Sequence, residues 1–130
     1  MTIDTSLDAV DLRAYNQSVH SDVAQLVLQL RDMLGARLVA YLGSVGETRA
    51  VRQWAEGGRV PSADVVGRLR LAYRLAALIA ERAGSPIAAT WFQGMNPQLS
   101  DKSPARLIRD GDLEEVGPQV IAAARTFVGA

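Results

Sequence analysis

The sequence predicts an all-α fold, and three observations carry the prediction. Apolar residues recur at three- and four-residue spacing through nearly every segment long enough to show a period. No stretch alternates apolar and polar as a half-buried strand would. Glycines and Ser-Pro pairs fall at the ends of the periodic segments, where helices stop and start. The chain is 130 residues long, which suits one compact domain or two small ones that share packing.

Taken in order, the first periodic segment is 19–34, where Val19, Val23, Leu26, Val27, Leu30, Met33 and Leu34 form one helical face and Gly35 is the stop. A short apolar helix, ARLVAYL, follows over 36–42 and closes at Gly43. TRAVRQWAE, 48–56, is a second short helix stopped by Gly57-Gly58. The longest helix is 63–83, capped by Ser62, with Val65, Leu69, Ala72, Ala76 and Ile79 as its apolar stripe. Asp64 stands four residues before Arg68, an ion pair of a few tenths of a kcal/mol. SPIAATWFQG and SPARLIRDG repeat one design, with Ser as N-cap, Pro at the first helical position and Gly in a left-handed C′ position. The last helix covers about 114–128, with Val116, Val120, Ile121, Ala124, Phe127 and Val128 on one side and Pro118 in its first turn.

Charge is balanced overall, 14 basic against 14 acidic residues, but it is unevenly distributed. Residues 36–82 carry eight Arg against four acidic residues, between acidic flanks, which hints at a polyanionic partner. With no cysteine there is no disulfide, thiolate nucleophile or zinc-thiolate site. The N-terminus lacks the apolar run of a signal peptide and no segment is long enough to span a membrane, so a cytoplasmic protein is expected.

Catalysis finds little support. The single His20 has Asp22 two residues away on a helix, where side chains do not face each other. GSVGETR lacks the strand and the Lys-Ser/Thr of a phosphate cradle, and RDGDLEE lacks the spacing of a calcium loop. A non-enzyme without metal or cofactor is expected.

Residues 38–61 have the pattern of a helix-turn-helix: an apolar short helix, a Gly-containing turn and a second short helix anchored by Val51 and Trp54. Thr48, Arg49, Arg52 and Gln53 then fall on the outer face, with Arg59 just beyond, and these five are the candidate DNA-binding residues. On pattern alone, two amphipathic helices with surface arginines fit a corner of a helical bundle equally well. The run WAEGGRVPS resembles the recognition helix and following loop of Xre-type regulators, with one extra residue between Val45 and Val51 that widens the turn.

The C-terminal part carries a second resemblance. Trp91, Asn96-Pro97, Leu99, Ser103-Pro104, Leu107, Gly111, Val116, Val120 and Gly129 match the toxin-binding domain of the Xre/MbcA/ParS antitoxins over about 40 residues. With the helix-turn-helix before it, the resemblance covers most of the chain from about residue 36 onward and gives residues 1–35 no counterpart. A helix-turn-helix-containing helical domain is expected over 19–84, a toxin-binding helical domain over 85–130 and a separate, flexible segment over 1–18. The resemblance further implies an antitoxin that neutralises a RES-type, NAD-consuming toxin, binds its operator, and forms a homodimer or a larger hetero-oligomer with the toxin. The alternative is a stand-alone repressor that uses its C-terminal half to dimerise.

Candidate toxin contacts are Phe92, Met95, Lys102, Arg106, Arg109, Phe127 and Val128. Adjacent residues on a helix diverge by about 100°, so Trp91 is expected to anchor the core while Phe92 and Met95 face a partner. Lys102, Arg106 and Arg109 could meet an acidic rim, Asp110, Asp112, Glu114 and Glu115 could mimic an anionic ligand or pair with toxin arginines, and the terminal ARTFVGA could enter a pocket. Plainer readings stand beside these. The two arginines fit a solvated helix face, and the acids at 110–115 fit the N-terminus of the last helix.

Overall fold

The computed structural model describes Arg13 and residues 22–129. The expectations for His20 and the N-terminal segment therefore lie outside the described residues. Within residues 22–129 seven α-helices follow one another: α1 (22–34), α2 (Ala36–Leu42), α3 (Thr48–Ala55), α4 (Ala63–Ala83), α5 (Ser85–Gln93), α6 (Pro104–Asp110) and α7 (Leu113–Val128). A 3₁₀ turn, Pro97–Leu99, links α5 to α6. Among the described residues there is no strand, only an isolated antiparallel bridge between Asn96 and Lys102.

Local chemistry explains most of the boundaries. Gly35, at φ +86°, ends α1 and lets α2 begin at once. Ser62 Oγ accepts from the Val65 N–H at 3.3 Å and caps α4, and Ser103 Oγ does the same for α6 through the Arg106 N–H at 3.1 Å. α3 ends in a complete Schellman motif. The Gly57 N–H donates to the Trp54 carbonyl at 3.2 Å, and the Gly58 N–H donates to the Gln53 carbonyl at 3.0 Å.

α4 is the central element. It packs against α5 on one side and α7 on another, while α2 packs against α3 and α6. A single hydrophobic cluster runs from Val27 and Leu30 through Val39, Val51, Leu69 and Ile79 to Phe92, Ile108 and Val120. Helices on both sides of Gly84 thus contribute to one core. Trp54 closes the turn between α2 and α3. A Cβ on Gly43 would stand 2.8 and 2.9 Å from its ring, so only glycine lets the indole cover this turn.

Four local expectations are corrected. Ser85 is the first residue of α5 rather than its cap, because Gly84 occupies the cap position and no side chain bonds there. Gly94 and Gly111 have φ of −83° and −89°, not left-handed values. Pro118 lies inside α7, in the second turn, because Asp112 caps the helix by accepting from the Glu114 N–H at 3.0 Å. Both Pro118 and Glu114 are exposed, so water can take the carbonyl that the proline leaves unpaired. Finally, Arg68 does not pair with Asp64. Its guanidinium donates to Ser44 Oγ at 3.3 Å and ties α4 to the turn after α2.

Gly111 is required by crowding rather than by its backbone angle. A Cβ there would lie 2.5 Å from Val116 Cγ1 and 2.6 Å from the Leu107 carbonyl oxygen. The oxygen belongs to the end of α6 and cannot rotate away. Gly111→Ala is therefore expected to lower stability by about 1–3 kcal/mol, the usual cost of overpacking. Urea denaturation checks this, and an unchanged midpoint would mean that the α6–α7 corner gives way freely.

Candidate functional site

Two surfaces concentrate the residues singled out by the sequence. The first surrounds α3. Thr48, Arg49, Arg52 and Arg59 are exposed and Gln53 is half-buried. Val51 and Trp54 are buried and hold α3 against α2, so the arginine face is turned outward by packing. Three clefts adjoin this face, and Arg49 lines all of them. One contains Arg31 and Arg52, another Gln53 and Arg59, and the largest, about 730 Å³, also holds Arg37, Tyr41 and Arg109. No ion pair with a described residue neutralises Arg31, Arg37, Arg49, Arg52 or Arg59.

The second surface is a groove of about 430 Å³ between the end of α5 and the end of α7. Trp91, Gly94, Met95 and Asn96 form one wall, and Ala123, Thr126 and Phe127 form the other. Met95 is 81% exposed and Phe127 49%, an unusual degree of exposure for large apolar side chains. The Trp91 and Phe127 rings lie 6.4 Å apart at 47°, which places Phe127 at the rim. The loop that carries Met95 and Asn96 is pinned by its own hydrogen bonds. The Asn96 N–H donates to the Lys102 carbonyl at 3.2 Å, and Asn96 Oδ1 accepts from the Gln98 N–H at 3.0 Å.

Phe92 does not belong to this surface. It is fully buried, and its ring meets Trp91 edge-to-face at 5.2 Å and 87°. The reason is the environment of α5, which packs against both α4 and α6. Its two flanks are therefore both interior, and two adjacent aromatics can point into one core.

The other expected contacts separate. Met95 and Phe127 share the groove, while Lys102 lies on the loop that closes behind Asn96. Arg106 is exposed on α6, and Val128 is half-buried against the core. Arg109 faces elsewhere: its guanidinium carbon lies 4.4 Å over the Tyr41 ring, in the large cleft beside α3. Sequence reasoning missed Arg37 and Tyr41 in that cleft, although their four-residue spacing puts them on one face of α2. It also missed Ala123 and Thr126, the small residues of α7 that leave room for the groove. Among the described residues no group of three acids or histidines could hold a metal ion, and no helix is long and apolar enough to cross a membrane.

Neither a family model nor a curated protein matches this sequence. Among solved structures, the fold is similar to a chain of the M. tuberculosis MbcT-MbcA toxin-antitoxin complex, at 28% identity and a TM-score of 0.61. The match covers 79% of this chain and 94% of that one. The all-α expectation and the resemblance to MbcA-type antitoxins are both borne out.

Proposed function

We propose that this protein is the antitoxin of a type II toxin–antitoxin pair. The observation that carries the reading is the structural likeness to a chain of the MbcT-MbcA complex over nearly that chain's whole length. The protein would then act by binding and not by catalysis. Its toxin is of the RES type and consumes NAD, as the residues from Trp91 to Gly129 suggest through their resemblance to the Xre/MbcA/ParS antitoxins.

The groove between α5 and α7 is the toxin-docking surface. Met95 and Phe127 expose apolar area on one groove, and a partner gains the burial of both. Lys102, on the loop that closes behind Asn96, adds exposed positive charge beside this surface, and Arg106 adds another exposed charge on α6. Operator binding belongs to the face of α3, where unpaired guanidiniums stand beside Thr48 and Gln53.

Co-expression tests the toxin half. The neighbouring open reading frame, expressed alone, should arrest growth and deplete cellular NAD, and co-expression of this chain should restore both. A neighbour that is harmless alone would favour the stand-alone repressor. Arrest without NAD loss would keep the antitoxin and remove the RES assignment. For the operator half, Arg52→Ala should abolish a salt-sensitive gel shift on the DNA upstream of the gene.

A further inference from the structure

We propose that the large cleft between α2, α3 and α6 is a phosphate clamp, in which Arg37, Arg49 and Arg109 grip one backbone phosphate of the bound duplex. The clamp rests on the operator-binding reading above and adds to it a contact from the C-terminal half of the chain. Three guanidiniums, one from each of three helices, line the cleft together with the side chains of Tyr41, Ser44 and Thr48. Glu47 is the one carboxylate among the lining residues, so three positive charges face one negative.

Two of the arginines have no ion pair with a described residue, and the third has only a marginal one. Arg109 Nε lies 3.7 Å from Asp110 Oδ1, a long contact with an Asp110 side chain that is 64% exposed, and so of little energetic weight. Arg109 is instead held by its stacking on Tyr41 at 4.4 Å. A guanidinium stacked on an aromatic face keeps the N–H groups of its edge free for a phosphate and loses less freedom on binding.

The shape of the region favours a polymer over a small anion. The cleft is wide and open, and Arg49 also lines the two neighbouring clefts that hold Arg52 and Arg59. The guanidiniums thus form a track, from Arg109 past Arg49 to Arg52, rather than a closed cage. A track suits the regular phosphates of a duplex, which set register without reading sequence.

The experiment measures duplex binding by fluorescence anisotropy between 50 and 200 mM salt, for the full chain and for single variants. Each phosphate contact contributes a slope of about −0.9 in log K against log salt. Because both arginines act on the same phosphate, Arg109→Gln and Arg37→Gln should each flatten the slope by at most about that amount, with no further flattening in the double variant, and weaken binding by up to roughly fivefold near 0.15 M salt, equally on operator and unrelated DNA. Arg109→Lys, which keeps the charge and loses the stacking, should recover most of the slope, as a purely structural role would not. Arg125→Gln, on α7 away from these clefts, should change nothing.

If Arg109→Gln and Arg37→Gln bind with the wild-type slope while Arg52→Ala does not, the clamp is overturned and operator binding stands. If the wild-type chain binds no duplex, both fall. A titration with inorganic pyrophosphate, followed by side-chain NMR signals of Arg49 and Arg109, then separates the causes. Saturable shifts there would assign the cleft to a free phosphate-bearing ligand, and no shifts would leave it without a phosphate role.

Discussion

Phe92→Ala should cost about 3–5 kcal/mol of stability, the range for removing a buried phenylalanine. Phe92 has no exposed surface, and its edge-to-face contact with Trp91 at 5.2 Å adds a directional term to its burial. The space it leaves lies where α5 packs against α4 and α6, and a rigid core collapses only partly around such a hole. Small domains have only about 5–15 kcal/mol of stability in total, so the variant would be left marginal. Its thermal midpoint should fall by roughly 10–20 °C. Calorimetry or urea denaturation provides the measurement. Met95→Ala, at a position 81% exposed, is the control and should shift stability by no more than about 0.5 kcal/mol. A Phe92→Ala protein that melts with the wild type would contradict the buried placement and return Phe92 to the partner-facing surface.

Phe92 also marks where sequence reasoning stops. The caps at Ser62 and Ser103 and the stops at Gly35 and Gly57 were legible because each depends on residues a turn away. The direction of Phe92 depends on which helices cover α5, and that is decided by residues far along the chain. A helical wheel assigns one inner face, whereas a short helix wedged between two others has two. Gly111 is a milder case. It was legible as a stop, but its reason, the approach of Val116 and the Leu107 carbonyl, appears only once α6 and α7 meet at an angle. The arginines divide in the same way. Arg49 and Arg52 declared themselves by their place on an amphipathic helix, but Arg109 looked like part of the C-terminal surface. Its stacking on Tyr41 joins it to α2, and no local pattern announces a contact between residues so distant in sequence. The groove was half legible. Trp91 and Phe127 were each noticed, but their meeting across α5 and α7 was not.

Placing an acid at Met95 should separate folding from partner binding. Met95 has little to lose in the free protein, because most of its side chain is already in water. Met95→Asp is therefore expected to leave the melting temperature nearly unchanged. In a complex the same residue would be buried, and an unpaired carboxylate in an apolar contact is costly. If Met95 is one of the few residues that carry the interface, the loss should be about 2 kcal/mol or more, a weakening of toxin binding of roughly 30-fold. Phe127→Asp should weaken binding by a similar amount, with a stability cost of about 1 kcal/mol because its ring also touches Trp91. The double variant should fall short of the sum of the two, since both side chains serve one groove. Isothermal titration against the purified toxin measures the affinities, and survival on co-expression gives an independent readout. DNA binding supplies the internal control, because the groove lies away from the clefts around α3 and neither substitution should alter the salt slope. Should Met95→Asp and Phe127→Asp both neutralise the toxin as well as the wild-type chain does, the groove is not the docking surface. The positive charge of Lys102 and Arg106 would then be the next place to look.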